Sequence, residues 1–263
     1  MTGAGLTSPW PVEGATADLR SLPGWRGLLR CGGWAAWGSV VLTVVQVAIF
    51  AAWPPPEQIS EIFDLMRRSP VLGLLSMDAL YLVNNVLVLL LYLALAVVLW
   101  AVSRSGVALV LGLGFLQMAA YYASNPAVEL LTLAGAHGRA DAAERAVIEG
   151  AGEALLAGWT GTAFLVYYFL GAVVLLLLSW MLRRSTDFPP SAAWWALAAG
   201  ILMLVPSPFG LVGMIFAIAS LVPWSVFCVI VGVRLLRLAQ HPGAARSPVT
   251  VGDGPAARPP SDP

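Results

Sequence analysis

VLGLLSMDALYLVNNVLVLLLYLALAVVLW, residues 71–100, follows Pro70 and carries one charged side chain, Asp78. An apolar run of about 20 residues crosses the roughly 30 Å hydrocarbon core of a bilayer as a helix. This run is longer. Read as one helix of about 30 residues it measures roughly 45 Å, so tilt or an outward overhang must absorb the excess.

Outward from it, five further apolar runs fit the same reading. The first spans about Trp34 to Ala52 and stops at Trp53-Pro54-Pro55-Pro56. The third starts after Gly106 and reaches Ala123, with Asn125-Pro126 marking its outer end. The fourth lies between Trp159 and Trp180, with a helical lead-in from about Glu144 that should project it beyond the bilayer. The fifth is short, Ala192 to Val205, and the sixth runs from Gly210 to about Val233. Pro223 inside the sixth predicts a kink, because it removes a hydrogen bond and crowds the carbonyl of Ala219. The expected fold is all-α, a polytopic transmembrane bundle of six helices. Residues 1–30 and 239–263 read as disordered cytoplasmic tails around a membrane domain at 31–238.

Composition agrees. Of 263 residues, 59% are hydrophobic and 11% charged, against about 45–50% and 25% in a soluble domain. No water-soluble fold of this size hides that much apolar surface. The net charge of zero argues against a nucleic-acid partner. Every one of the 14 basic residues is arginine. The chain therefore lacks the lysine of a Schiff base or a Walker phosphate loop. Two histidines outside the apolar runs and two isolated cysteines offer no haem or zinc ligand set. No cofactor is expected.

Arginine placement gives an orientation, because basic residues favour the cytoplasmic side. With the N-terminus inside, ten arginines fall in cytoplasmic segments and four, Arg67, Arg68, Arg139 and Arg145, fall outside. Nine of the 14 acids fall on the outer side. Trp34, Trp100, Trp180, Trp194 and Trp195 gather at the inner boundary as an aromatic belt. Arginine-only usage with high Ala and Gly suggests a GC-rich bacterium, and hence its inner membrane. Between the first two spans, Ile59, Ile62, Phe63 and Met66 recur at i, i+3, i+4 and i+7. That spacing predicts an external amphipathic helix on the outer leaflet or capping the bundle.

Polar residues inside spans face protein or water rather than lipid. Asp78, Tyr81, Asn85 and Tyr92 share one face of the second span. Gln117, Tyr121, Asn125 and Glu129 repeat every four residues in the third. Thr160, Tyr167 and Tyr168 in the fourth and Gln46 in the first add to them. Two readings stand: an outward-opening pocket floored near Gln117 and Asn85, or hydrogen bonds that hold helices together. The ligand-binding candidates are Asp78, Tyr81, Asn85, Gln117, Tyr121 and Asn125. Asp78 falls at the outer boundary, where Arg67 or Arg68 could pair with it. Small residues line one face of the sixth helix (Gly210, Gly213, Ala217, Ser220) and of the fourth (Gly150, Ala154, Ala157, Gly161). They allow close packing within the chain or a homodimer seam.

LGLLSMDALYLVNNVLVLLLYLAL at 72–95 carries an acid early in a long helix. The stretch at 158–200 has a long helix, then Arg183-Arg184-Ser185, Phe188-Pro189, Trp194 and Gly200. Over residues 30–238 this pattern resembles the bacterial membrane proteins of domain-of-unknown-function family 4386. The resemblance implies six spans and no catalytic residues. The expected function is binding of a small or lipid-like ligand in the outward pocket, with the lipid bilayer as partner. A secondary transporter or channel is the alternative, and an intramembrane enzyme lacks any nucleophile–base or metal constellation.

Overall fold

A computed structural model describes residues 24–207 and 210–240, which form ten α-helices without a strand. Helix α1 (Trp25–Ala52) stops where the three prolines 54–56 begin. It starts six residues before the boundary expected at 31, so 25–30 is helical. The rest of the N-terminal tail, the C-terminal tail beyond Gln240, and His241 lie outside the described residues. Then follow α2 (Ile59–Arg68), α3 (Pro70–Ser76), α4 (Ala79–Leu99), α5 (Arg104–Ser124), α6 (Ala127–His137), α7 (Ala142–Trp159), α8 (Thr162–Arg184), α9 (Pro190–Leu202) and α10 (Gly210–Gln240).

Five segments are long and apolar enough to cross a membrane: α1, α4, the stretches containing α5 and α8, and α10. The expected fifth span is the exception. Helix α9 has 13 residues, roughly 20 Å, and is too short to cross alone. Large apolar side chains are exposed along the outside, among them Val44, Leu109, Phe115, Phe169, Ile215 and Val222. Such a continuous apolar exterior is stable in lipid and not in water. The chain is built as a membrane-embedded protein.

Six helices pack in a closed ring, in the order α1, α4, α5, α8, α9, α10 and back to α1. Glycines fix several close approaches. A Cβ on Gly32 of α1 would collide with the Ala94 Cβ of α4, and one on Gly33 would meet Leu236 of α10. Neighbours run antiparallel. Gly106 of α5 approaches Met181 of α8, while Gln117 of α5 approaches Gly171. On α9, Ala193 accepts a hydrogen bond from Ser179 Oγ at 2.8 Å, while Met203 just beyond its end approaches Gly171. The core between them is Leu, Val and Ala, with Tyr92, Phe227 and Cys228 fully enclosed.

Charge separates along this ring. Arg26, Arg30, Arg104, Arg183, Arg184, Arg234 and Arg237 lie at one end, with Asp187 the only acid there among the described residues. Arg234 donates to the Asp187 carbonyl, tying α10 to the α8–α9 turn. Arg183 stacks over Trp194 at 4.3 Å and Arg184 over Trp180 at 4.0 Å. Trp34, Trp100 and Trp195 are also exposed at this end.

Helices α2, α3, α6 and α7 form a second layer at the opposite end. Ile59, Ile62, Phe63 and Met66 of α2 are buried against Ala127, Leu130 and Ala134 of α6. The apolar face of α2 therefore lies on protein, not on a leaflet surface. His137 closes the layer through a 2.8 Å contact with Glu149 of α7.

Three expected continuities are broken. The second span divides at Met77-Asp78, so the 45 Å rod does not form. The lead-in of the fourth span folds as α7 and separates from α8 at Thr160-Gly161, so it packs on α2 and α6 instead of extending α8 outward. After Pro126 the chain turns into α6, which leaves Glu129 exposed and out of register with Gln117 and Tyr121. Pro223, in contrast, lies inside an uninterrupted α10. Gly213 is pressed against the Pro206 carbonyl within the chain, whereas Gly150, Ala154 and Ala157 of α7 are exposed.

Candidate functional site

The site is built on the break between α3 and α4. Asp78 has φ 57° and ψ 27°, the only left-handed non-glycine among the described residues. Asp and Asn tolerate this conformation better than other side chains. A break leaves helix-terminal carbonyls without partners, and two side chains supply donors. Gln46 of α1 donates to the Leu75 carbonyl at 3.0 Å, and Asn125 donates to the Met77 carbonyl at 2.8 Å. The Asn125 Oδ1 also accepts from the Ala127 amide at 3.1 Å, satisfying the first free amide of α6. One amide thus holds two chain reversals together. Asn125, a candidate for ligand binding, is engaged by the backbone.

Below the break, three helices converge. Tyr81 of α4 faces Tyr121 of α5 with ring centroids 6.1 Å apart. Tyr121 lies 4.9 Å from Tyr167 of α8, and Phe164 and Tyr168 complete the cluster. Asp78 is within electrostatic reach of Tyr81, Tyr121, Tyr167 and Tyr168. Tyr121, Tyr167 and Phe164 are buried, whereas Asp78, Tyr81 and Tyr168 are half-buried. Ser207 approaches Tyr168 from beyond α9.

Asp78 has no arginine partner among the described residues. Arg67 is paired with Asp64 at 2.5 Å, and Arg68 lies 4.0 Å from the same carboxylate. Protein crowds the Asp78 carboxyl on most sides although a part stays open. This burial pushes its pKa from 3.8 up to about 7.

Asn85 and Gln117 lie one turn below Tyr81 and Tyr121 on the same helix faces. Both are buried, and Gly171 of α8 leaves the space that Gln117 occupies. Asn85 Nδ2, Gln117 Oε1 and the Tyr121 hydroxyl have no hydrogen-bond partner among the described residues. Ser39, Thr43, Gln46 Oε1 and Asn84 Oδ1, on α1 and α4, are in the same state. Thr43 approaches Tyr81 and Asn125 approaches Tyr121, but neither contact completes hydrogen-bond geometry. Each buried orphan costs about 1–3 kcal/mol. Seven in one bundle exceed what a native interior leaves without water or a bound group.

The structure brings Asp78, Tyr81 and Tyr121 together, and Tyr167 and Tyr168 join them. Thr160 is exposed and takes no part. The polar face of α1 beyond Gln46 was missed, although Ser39, Thr43 and Gln46 recur at i, i+4 and i+7. The pairing of His137 with Glu149 was also missed, because it depends on α6 and α7 folding back on each other.

A groove of about 410 Å³ also opens between α6 and α7, lined by Ala136, Arg139, Ala140, Glu144, Val147 and Ile148. It is separate from the tyrosine cluster. No group of three His, Cys, Asp or Glu among the described residues could hold a metal ion. No protein-family model, curated protein or solved structure matches the chain.

Proposed function

We propose that this chain is a six-crossing membrane protein that binds a small or lipid-like ligand in a pocket beneath the α2–α3–α6–α7 layer, opening to the cell exterior. The carrying observation is the set of orphaned buried groups, Asn85 Nδ2, Gln117 Oε1 and the Tyr121 hydroxyl, behind the half-buried Asp78, which this reading makes the mouth of the pocket. A polar ligand group or its water would satisfy them. The arginine-rich end faces the cytoplasm by the basic-residue rule, and a bacterial inner membrane suits the arginine-only composition. Kinship with the domain-of-unknown-function family 4386 rests on the sequence pattern at 72–95 and 158–200.

The sixth crossing is supported by length. Arg234 of α10 bonds to Asp187 in the α8–α9 turn, and Gly210 lies 24 residues earlier on the same helix, about 36 Å away. The chain between those levels is α9, about 20 Å, and the turn after it, whose Pro206 carbonyl lies against Gly213 near the start of α10. Together they can cross.

A transporter would be favoured by a helix broken at midplane. The break at Asp78 instead leaves 21 residues of α4 beneath it, about 32 Å, and so lies at the membrane edge. Binding is the better reading. The test is a thermal-shift screen of small polar and amphiphilic compounds on detergent-purified protein. Compounds that stabilise the wild type should stabilise Asn85→Leu less. Equal responses would leave Asn85 and its neighbours as interhelical contacts only.

A further inference from the structure

The mouth of the tyrosine cluster has a chemical character that narrows the ligand. It holds one carboxylate, Asp78, which has no cationic partner among the described residues because Arg67 and Arg68 are turned to Asp64. Around it stand Tyr81 and Tyr168, half-open, backed by the buried Tyr121, Tyr167 and Phe164. The Tyr121 hydroxyl, fully buried, completes no hydrogen bond among the described residues. The wider surface agrees: the layer above this mouth and the helix ends beside it carry nine acids and four arginines among the described residues. Such a surface concentrates cations and repels anions. A hard metal ion would need several oxygen ligands, and no second carboxylate is gathered here. Aromatic faces beside a carboxylate instead suit a large, weakly hydrated cation, attracted both by charge and by the ring quadrupoles.

We propose that this mouth recognises an organic ammonium group, held by the Asp78 carboxylate and by the faces of Tyr81 and Tyr168. The inference rests on the pocket reading above and names the chemistry of its ligand. The ammonium could belong to a choline-type lipid headgroup or to a free quaternary ammonium solute, because both present the same group to the mouth.

The test titrates tetramethylammonium chloride into the full chain in a neutral maltoside detergent at pH 8, against sodium chloride at equal ionic strength, reading the melting temperature. The wild type should show a saturable rise. Asp78→Asn should bind at least about tenfold more weakly while melting no lower than the wild type without ligand, because Asn also tolerates the left-handed conformation. Tyr168→Leu should weaken binding and Tyr168→Phe should retain it, which separates a cation on a ring face from a hydroxyl contact. Equal affinity in the wild type and Asp78→Asn would overturn the proposal. A neutral monoacylglycerol that stabilises the protein where tetramethylammonium does not would overturn it and leave the pocket standing. No response to either probe would remove both. Nanodiscs identify the source. A tetramethylammonium response lost in phosphatidylcholine and kept in phosphatidylglycerol supports a lipid headgroup as the native occupant. A response kept in both supports a free quaternary ammonium solute.

Discussion

Asp78 combines backbone strain with a buried charge. Its positive φ predicts that Asp78→Asn preserves the fold, whereas the β-branched Asp78→Val destabilises it by about 1–3 kcal/mol. Melting temperatures in detergent check this pair. Its carboxyl is pushed from 3.8 to about 7 by burial, so the folded state holds a proton that the unfolded state releases. The stability it contributes is complete below about 3.8 and is lost as pH rises through 7. Wild-type melting temperature should therefore fall between pH 5 and 8 by more than that of Asp78→Asn, and parallel curves would refute the shift. Asn125 makes a different prediction. Asn125→Ala removes one bond to the Met77 carbonyl and one to the Ala127 amide, for a loss of about 2 kcal/mol. Asn125→Asp keeps only the acceptor and should fall between.

At the scale of elements, close helix contacts depend on particular glycines. Gly32→Val would drive a side chain into Ala94 and the Leu90 carbonyl, destabilising the α1–α4 seam by about 1–3 kcal/mol. Gly112→Ala meets nothing within 4 Å and should stabilise α5 by about 0.5–1 kcal/mol through helix propensity. Opposite shifts in melting temperature would check the pair. Helix ends were legible where proline marks them: α1 stops before 54–56 and α5 before Pro126. The α2 register was legible from its apolar spacing, but its covering was not, because α6 is distant in sequence. The break at Asp78 was hidden because the residues on either side are equally apolar and helix-forming. The donors that stabilise it, Gln46 and Asn125, sit 29 and 48 residues from their acceptors. The break at Thr160-Gly161 has only one weak marker, a glycine in a chain rich in them. Within the site, Asp78, Tyr81 and Tyr121 were legible from helical spacing, whereas the engagement of Asn125 depends on a turn no periodicity reveals.

Across the whole molecule, the separation of charge predicts how the chain sits. Reporter fusions after Gln240 and before Trp25 should both read cytoplasmic, and a fusion in the loop at 138–141 should read external. An external reading at the C-terminus alone would reduce the crossings to five and make α9 a re-entrant element. The ring itself is closed by α1 against α10, where Gly232 meets the Gly33 carbonyl and the Ala36 side chain. These are the first and last helices of the described chain. During synthesis α1 therefore enters the bilayer long before its partner exists, and its glycine-lined flank waits against lipid until α10 leaves the ribosome. A chain terminated before Gly210 would insert yet remain an open arc, a ready substrate for membrane quality control.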